Sequence, residues 1–142
     1  MGAWRGFLTA HARITASLGA ELEEAGEIPL TWYDVLVQLG EGGGRLRMQD
    51  LAHSVLLSKS GLTRLVDRME AEGLVRREQC PSDKRGMLAV ITPAGTAALR
   101  RAAPVHLAGI ERHFSRHLSE EEARAMRAAF DEMVAALEAA AV

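Results

Sequence analysis

The sequence predicts a mainly α-helical, α+β fold of about six helices interrupted once by a β-hairpin. Three observations predict it. Apolar residues recur at three- and four-residue spacings through most of the 142 residues, the pattern of helices with one buried face. That period gives way to β-leaning segments between Val75 and Ile91, around a charged tip bounded by Pro and Gly. Apolar residues make up 48% of the chain with only six aromatics, enough for the aliphatic core of one domain.

Each element can be read in order. Trp4, Phe7, Leu8, Ile14, Leu18 and Leu22 form one stripe on a helix from about Ala3 to Ala25, which Gly26 suits as a stop. A second helix is expected from Thr31 as N-cap, with Trp32, Val35, Leu36 and Leu39 inward. It ends in the glycine-rich run Gly40-Glu41-Gly42-Gly43-Gly44. Leu46-Arg47-Met48 reads as a short extended piece, followed by a helix from Gln49 to Leu56 that buries Leu51, Ala52 and Val55. After a break at Leu57, Ser58 caps a helix to about Glu72, with Leu62, Leu65, Val66 and Met69 buried. Gly73 at C′ and the apolar Leu74 at C″, folding back toward Met69, form its stop. Two short helices joined by a tight turn make a helix-turn-helix.

Val75 to Cys80 and Met87 to Ile91 then flank Pro81-Ser82-Asp83-Lys84-Arg85-Gly86, a hairpin with a charged tip. Thr92-Pro93 restarts a helix with an N-cap and a proline in the first turn. That helix carries Leu99, Val105, Leu107, Ile110 and Phe114, and Pro104 is expected to kink it or divide it in two. Ser119-Glu120-Glu121-Glu122 is a capping box, opening a last helix with Met126, Phe130, Met133, Val134 and Leu137 on one face.

Composition narrows the function classes. No apolar run approaches the ~18 residues of a membrane span, no basic-then-apolar leader opens the chain, and the lone Cys80 cannot form an internal disulfide. A cytoplasmic protein is expected. An enzyme is not: Gly42-Gly43-Gly44 lacks the lysine and the strand–helix context of a phosphate loop, and no Ser/His/Asp constellation has support around it. No cofactor is implied. The net charge of −2 hides an uneven distribution, −4 over residues 1–44, +3 over 45–86 and −1 over 87–142. The basic part coincides with the helix-turn-helix and hairpin, although an ordinary solvated surface has a similar balance.

The helix from Ser58 leaves Ser60, Thr63, Arg64 and Asp67 together on the face opposite its buried stripe. Lys59 adds a cation at the helix start, and Arg68 lies one turn beyond Arg64. Small hydroxyls let such a helix sit deep in a major groove, where Arg64 can reach a guanine edge in bidentate fashion. The helix N-terminus itself favours a phosphate. A polar solvated face explains these residues equally well taken alone, and the hairpin decides between the readings. Its tip projects Lys84 and Arg85 past the helix-turn-helix, where Arg85 can enter the adjacent minor groove and Asp83 can brace it by an ion pair. A charged hairpin directly after a capped helix-turn-helix points to a winged helix that binds duplex DNA.

Here the residues resemble a known family. Leu51-Ala52, the run from Leu57 to Glu70, Gly73-Leu74-Val75-Arg76-Arg77, and Asp83-Lys84-Arg85 followed by Val90-Ile91-Thr92-Pro93-Ala94-Gly95 are similar to the MarR family of winged helix-turn-helix regulators. Ile91 stands where the family's wing signature has leucine, and Met48 where its third helix has a small capping hydroxyl, which implies a weaker phosphate contact there. The resemblance implies Ser60, Thr63 and Arg64 as major-groove readers and Arg85 as the wing arginine. It implies a homodimer on a pseudo-palindromic operator, with repression the usual outcome and a small aromatic or carboxylate effector the usual signal. The whole of 1–142 would then be one domain, 45–92 the winged helix and 1–44 with 93–142 mainly dimerisation helices.

Dimerisation also follows from the apolar stripes. Trp4, Phe7 and Leu8 at one end and Phe130, Met133 and Leu137 at the other exceed what one small winged helix can cover. A two-fold dimer places its recognition helices about one turn of DNA apart, or a multiple of it. A protein-interaction module that uses the same helices without DNA is the alternative class.

Three smaller readings remain. His113 and His117, at i and i+4 near His106, invite a metal, but two imidazoles fall short of a site and exposed helical histidines are expected. Cys80 is expected to be a solvent-facing bystander, the alternative being a redox thiol whose pKa Arg76 and Arg77 lower. Trp4, His11, Arg13, Trp32 and Tyr33 are candidates to line an effector cleft, against the commoner role of aromatics as core.

Overall fold

The computed structural model describes residues 1–55, 59–83 and 86–141, and of Lys59 the backbone alone. Helix α1 (Gly2–Glu24) stops at Gly26, whose φ of +72° is the left-handed geometry glycine permits. Only the C-terminal half of its stripe is covered: Leu18 and Leu22 are buried, whereas Trp4, Phe7 and Leu8 are exposed. Helix α2 (Leu30–Glu41) begins one residue before Thr31. Pro29 is its N-cap, φ −56° and ψ 149°, and its carbonyl accepts from Tyr33 N–H at 3.0 Å. The ring fixes the entry angle that Thr31 was expected to set, and Thr31 lies inside the first turn.

The short extended piece becomes a true strand, β1 (Arg45–Arg47), and Met48 already belongs to helix α3 (Met48–Ser54). Helix α4 (Lys59–Ala71), strands β2 (Val75–Gln79) and β3 (Met87–Ile91), and helices α5 (Pro93–His113) and α6 (Glu120–Ala140) follow, with a 3-10 turn at Ser115–His117. The expected cap Ser58 lies outside the described residues. The sheet has the order β1-β3-β2, antiparallel throughout, with Arg45 opposite Val90 and Val75 opposite Ile91. A hairpin was expected; the third strand joins because Gly43 and Gly44, both at positive φ, turn the chain back onto β3.

One core fills the winged-helix half, from Val35, Leu36 and Leu39 of α2, Leu51 of α3, Leu62, Val66 and Met69 of α4, and Val75, Ala89 and Ala98. A smaller one joins Leu22, Tyr33 and Ala102, so α5 bridges the two. Pro104 leaves α5 one continuous helix. It lies on the exposed side, while Ala98, Ala102 and Gly109 are buried on the other face to either side of it. Packing there offsets the backbone bond that proline removes.

The end of α4 is set by local chemistry. Leu74 N–H donates to Met69 O at 3.0 Å and Gly73 N–H to Glu70 O at 2.9 Å, with Gly73 at φ +75°, the Schellman arrangement. Thr92 then ties this end to the next helix. Its hydroxyl donates to Gly73 O at 2.6 Å and accepts from Gly95 N–H at 3.0 Å, capping α5. The capping box of α6 forms as read, Glu122 N–H to Ser119 Oγ at 3.2 Å and Ser119 N–H to Glu122 Oε2 at 2.8 Å. Among the described residues no helix is long and apolar enough to cross a membrane.

Candidate nucleic-acid interface

Helix α4 buries Leu62, Leu65, Val66 and Met69 against the core, which turns Ser60, Thr63, Arg64, Asp67 and Arg68 outward. The face opens onto a cleft of about 560 Å³ lined by Arg47, Gln49, Ser60, Thr63, Arg77 and Asp83 among others. The structure therefore brings Ser60, Thr63 and the base of the wing to one groove, with Arg64 on the same exposed helix face but outside the lining. Ser58, Lys84 and Arg85, and the side chain of Lys59, lie outside the described residues. Asp83 helps to close the tip turn, its N–H donating to Cys80 O at 3.3 Å and its carbonyl accepting from Gly86 N–H at 3.0 Å. The expected brace from Asp83 to Arg85 falls on an undescribed partner. At the start of α3 the N-cap is Arg47, with no side-chain cap bond, so the hydroxyl missing at Met48 is not replaced.

One residue of the site was missed in the sequence reading. Arg77, in the half-buried part of β2, reaches across to α4. Its Nη2 lies 2.7 Å from Asp67 Oδ1 and donates to Thr63 O at 3.0 Å; its Nη1 donates to Glu70 Oε1 at 3.1 Å. The Arg77 backbone N–H donates to Glu70 Oε2 at 2.7 Å. Asp67, read as part of the reading face, is thus engaged by the wing strand. On the other side of the wing, Arg47 Nη2 donates to Ser82 Oγ at 3.3 Å.

Cys80 is buried, not solvent-facing as expected. It packs under the tip turn, where a side chain at Gly86 would meet the Cys80 Cβ at 3.3 Å. Hydrogen bonding from Ser82, whose Oγ is 3.3 Å from Sγ, holds the thiol below its ordinary pKa, with Arg47 adding to the effect. Arg76 and Arg77, the cause named in the alternative redox reading, are bonded instead to Glu78 and to α4.

The histidines also differ from expectation. His113 is the last residue of α5 and His117 sits in the following 3-10 turn, so they share no helix face. His113 Nε2 is 2.6 Å from Glu21 Oε1, and Arg112 Nη1 donates to the same oxygen at 2.8 Å, clasping α1 to α5. Hydrogen bonding from His113 and Arg112 draws the Glu21 carboxyl below its usual pKa. His106 stacks on Tyr33 at 4.3 Å between ring centres, and its Nδ1 is buried without a hydrogen-bond partner among the described residues. His106 and His113 are inter-helix contacts rather than exposed bystanders, whereas His117 is exposed as expected. Burial lowers the His106 pKa below 6.5, only partly opposed by the nearby Asp34 charge.

That shift fixes a pH dependence. Folded His106 resists protonation, while the unfolded chain takes up its proton as pH falls through about 6.5, so stability drops on the acid side of that value. Thermal melting at pH 7.5 and 5.5 should show a smaller acid loss in His106→Asn than in the native protein; equal losses would mean that the ring does not contribute.

The five effector candidates are not gathered within one chain. Trp4 and His11 flank Phe7 at 6.0 and 6.1 Å on the exposed half of α1, where Arg13 is exposed too. Trp32 packs on the main core and Tyr33 in the second. A shallower hollow of about 510 Å³ beside α1 and α5, lined by Glu21, Pro104, Val105 and Arg112, includes none of them.

Comparison with known proteins settles the family. A MarR family model matches residues 27–86. The fold superposes on the crystal structure of AbsC, a MarR family transcriptional regulator from Streptomyces coelicolor, with TM-score 0.88 and 38% identity over 96% of this chain and 93% of that one. The chain belongs to the MarR family. A second MarR family regulator from the same organism, Sco3205, solved in complex with DNA, superposes with TM-score 0.88 at 34% identity over 95% of this chain and 88% of that one. The regulator MhqR of Bacillus subtilis is 36% identical over 75 residues, 53% of this chain and 51% of that protein. The chain spans about half the length of the curated relatives it matches. The matching relatives and structures are described as transcriptional regulators.

Proposed function

We propose that this MarR-family chain is a sequence-specific duplex-DNA-binding repressor acting as a homodimer on a pseudo-palindromic operator. The observation that carries the reading is the common groove of Ser60, Thr63 and the wing base, with Arg64 on the same exposed helix face. Ser60, Thr63 and Arg64 read the major groove; Ser58, Lys59 and Arg68 hold the adjacent phosphates. Lys84 and Arg85, with Asp83 as brace, take the flanking minor groove. The DNA bound to Sco3205, similar over nearly the whole chain, supports this assignment. Residues 45–92 do the reading, and 1–44 with 93–142 pair the two copies. A small aromatic or carboxylate effector releasing the DNA, and a cytoplasmic location, complete the proposal.

Selection of binding sites from a random duplex pool tests it. The expected result is a pseudo-palindrome whose half-sites lie about one helical turn apart, or a multiple of that; a pool that yields no enriched sequence would contradict it. On the selected site, Arg64→Ala is expected to lose about 1–3 kcal/mol and to relax specificity at one base pair. Unchanged discrimination on a panel of mutated sites would remove Arg64 from the reading set.

A further inference from the structure

We infer that Arg77 is a positioning residue that locks the wing to the recognition helix in the orientation where both engage one stretch of duplex. The inference rests on the DNA-binding reading above. Arg77 is badly placed to be a DNA contact itself. Its side chain is only 17% exposed, and the two carboxylates it bonds, Asp67 and Glu70, leave the cluster with a net charge of −1. A guanidinium so neutralised has little attraction to offer a phosphate, so its effect must pass through what it holds.

What it holds is the relation between β2 and α4. The hairpin leaves α4 through the tight turn at Gly73-Leu74, and Val75 is the first strand residue in the core. Arg77 lies two residues further toward the wing tip, about 7 Å along the strand, which gives its contacts leverage against a swing about that turn. They grip α4 at Thr63, Asp67 and Glu70, one side chain spanning two turns of helix. Thr63 is itself a reading residue. By contrast, Arg45 and Arg76 bond Glu78 and tie the sheet to itself, not to the helix. The same clasp neutralises Asp67, which would otherwise set a bare carboxylate on the reading face.

A lysine cannot replace this fork. Its ammonium keeps the charge but is a single point donor that cannot span separate acceptors in fixed planar geometry. Arg77→Lys therefore separates charge from positioning, and Asp67→Asn removes one leg of the clasp while leaving Arg77 in place. Both should be compared with the native protein on its selected duplex, by hydroxyl-radical footprinting, anisotropy and thermal melting. Arg77→Lys is expected to keep protection at the major-groove centre of each half-site and to lose it in the flanking minor groove. Its Kd should rise about tenfold, the scale of one hydrogen bond to a charged group, with an unchanged melting temperature. Asp67→Asn should shift the footprint the same way by less. A native footprint in both grooves with Kd within about twofold for Arg77→Lys would overturn the inference, even if melting fell. No footprint from the native protein would instead defeat the DNA-binding reading itself.

Discussion

A chain carrying Phe130→Glu and Leu137→Glu is expected to sediment as a monomer and to bind its operator about 100-fold more weakly, or worse, than the native protein. Helix α6 buries no residue within one chain. Its apolar face is open to solvent, Met133 57%, Val134 52% and Leu137 72% exposed. The patch does not stop there, because the Phe130 ring lies 5.8 Å from Phe7, beside Trp4 and Leu8 of α1. First and last helices thus present one continuous apolar surface, larger than a soluble monomer normally leaves uncovered. A second copy of the same surface is the occupant the proposal names. Two glutamates there would have to be desolvated on pairing, while in the single chain they remain in water, so the fold should survive. Without pairing, each winged helix binds one half-site alone and the effective concentration of the second is lost. Sedimentation equilibrium and anisotropy on one preparation check both parts. A variant that stays dimeric would place the interface elsewhere.

Gly95→Ala is the second large effect, expected to destabilise the protein by about 3 kcal/mol, the upper part of the range for overpacking. The reason is space, not backbone freedom. A Cβ at Gly95 would overlap the Leu74 carbonyl oxygen and come within 2.9 Å of Ile91 Cγ1. The Leu74 carbonyl cannot retreat freely, since it accepts from Thr92 N–H at 3.1 Å and belongs to the turn that ends α4. Either α5 or that turn must shift, and Ala98 at the core would move with α5. Urea unfolding should show a lowered midpoint at unchanged slope. A loss below about 0.5 kcal/mol, the scale of a neutral surface change, would show that the contact yields without cost.

What could be read from sequence was mostly what short-range chemistry decides. The stop at Gly73-Leu74, the cap at Thr92 and the capping box at Ser119 each need only a few consecutive residues, and each forms as read. The helix faces were legible because burial of one stripe dictates the other, which is how Ser60, Thr63, Arg64 and Arg68 were placed outward. Even locally, a proline outweighed the better-looking hydroxyl at the start of α2.

The features that escaped depend on partners distant in sequence. β1 pairs with a strand more than forty residues later, and Glu21 meets His113 92 residues away. Cys80 was misjudged because its burial comes from the tip turn folding over it rather than from strand alternation. Arg77 is the instructive case, because a signal existed. Asp67 and Glu70 stand three apart on one helical face, and two consecutive arginines follow in the next strand. Strand alternation must send one of those arginines toward the helix and the other to solvent, as the half-buried Arg77 and exposed Arg76 show.

The most direct test of the central claim is fluorescence anisotropy of the purified protein on its selected duplex, repeated across a series of salt concentrations against scrambled competitor. The proposal predicts saturable binding that scrambled DNA does not displace, two chains per site, and a steep linear fall of log K with log salt as phosphate contacts release counterions. Binding that is weak, equally well displaced by scrambled duplex and flat in salt would contradict it, and would leave the helix surface as the working part of an interaction module.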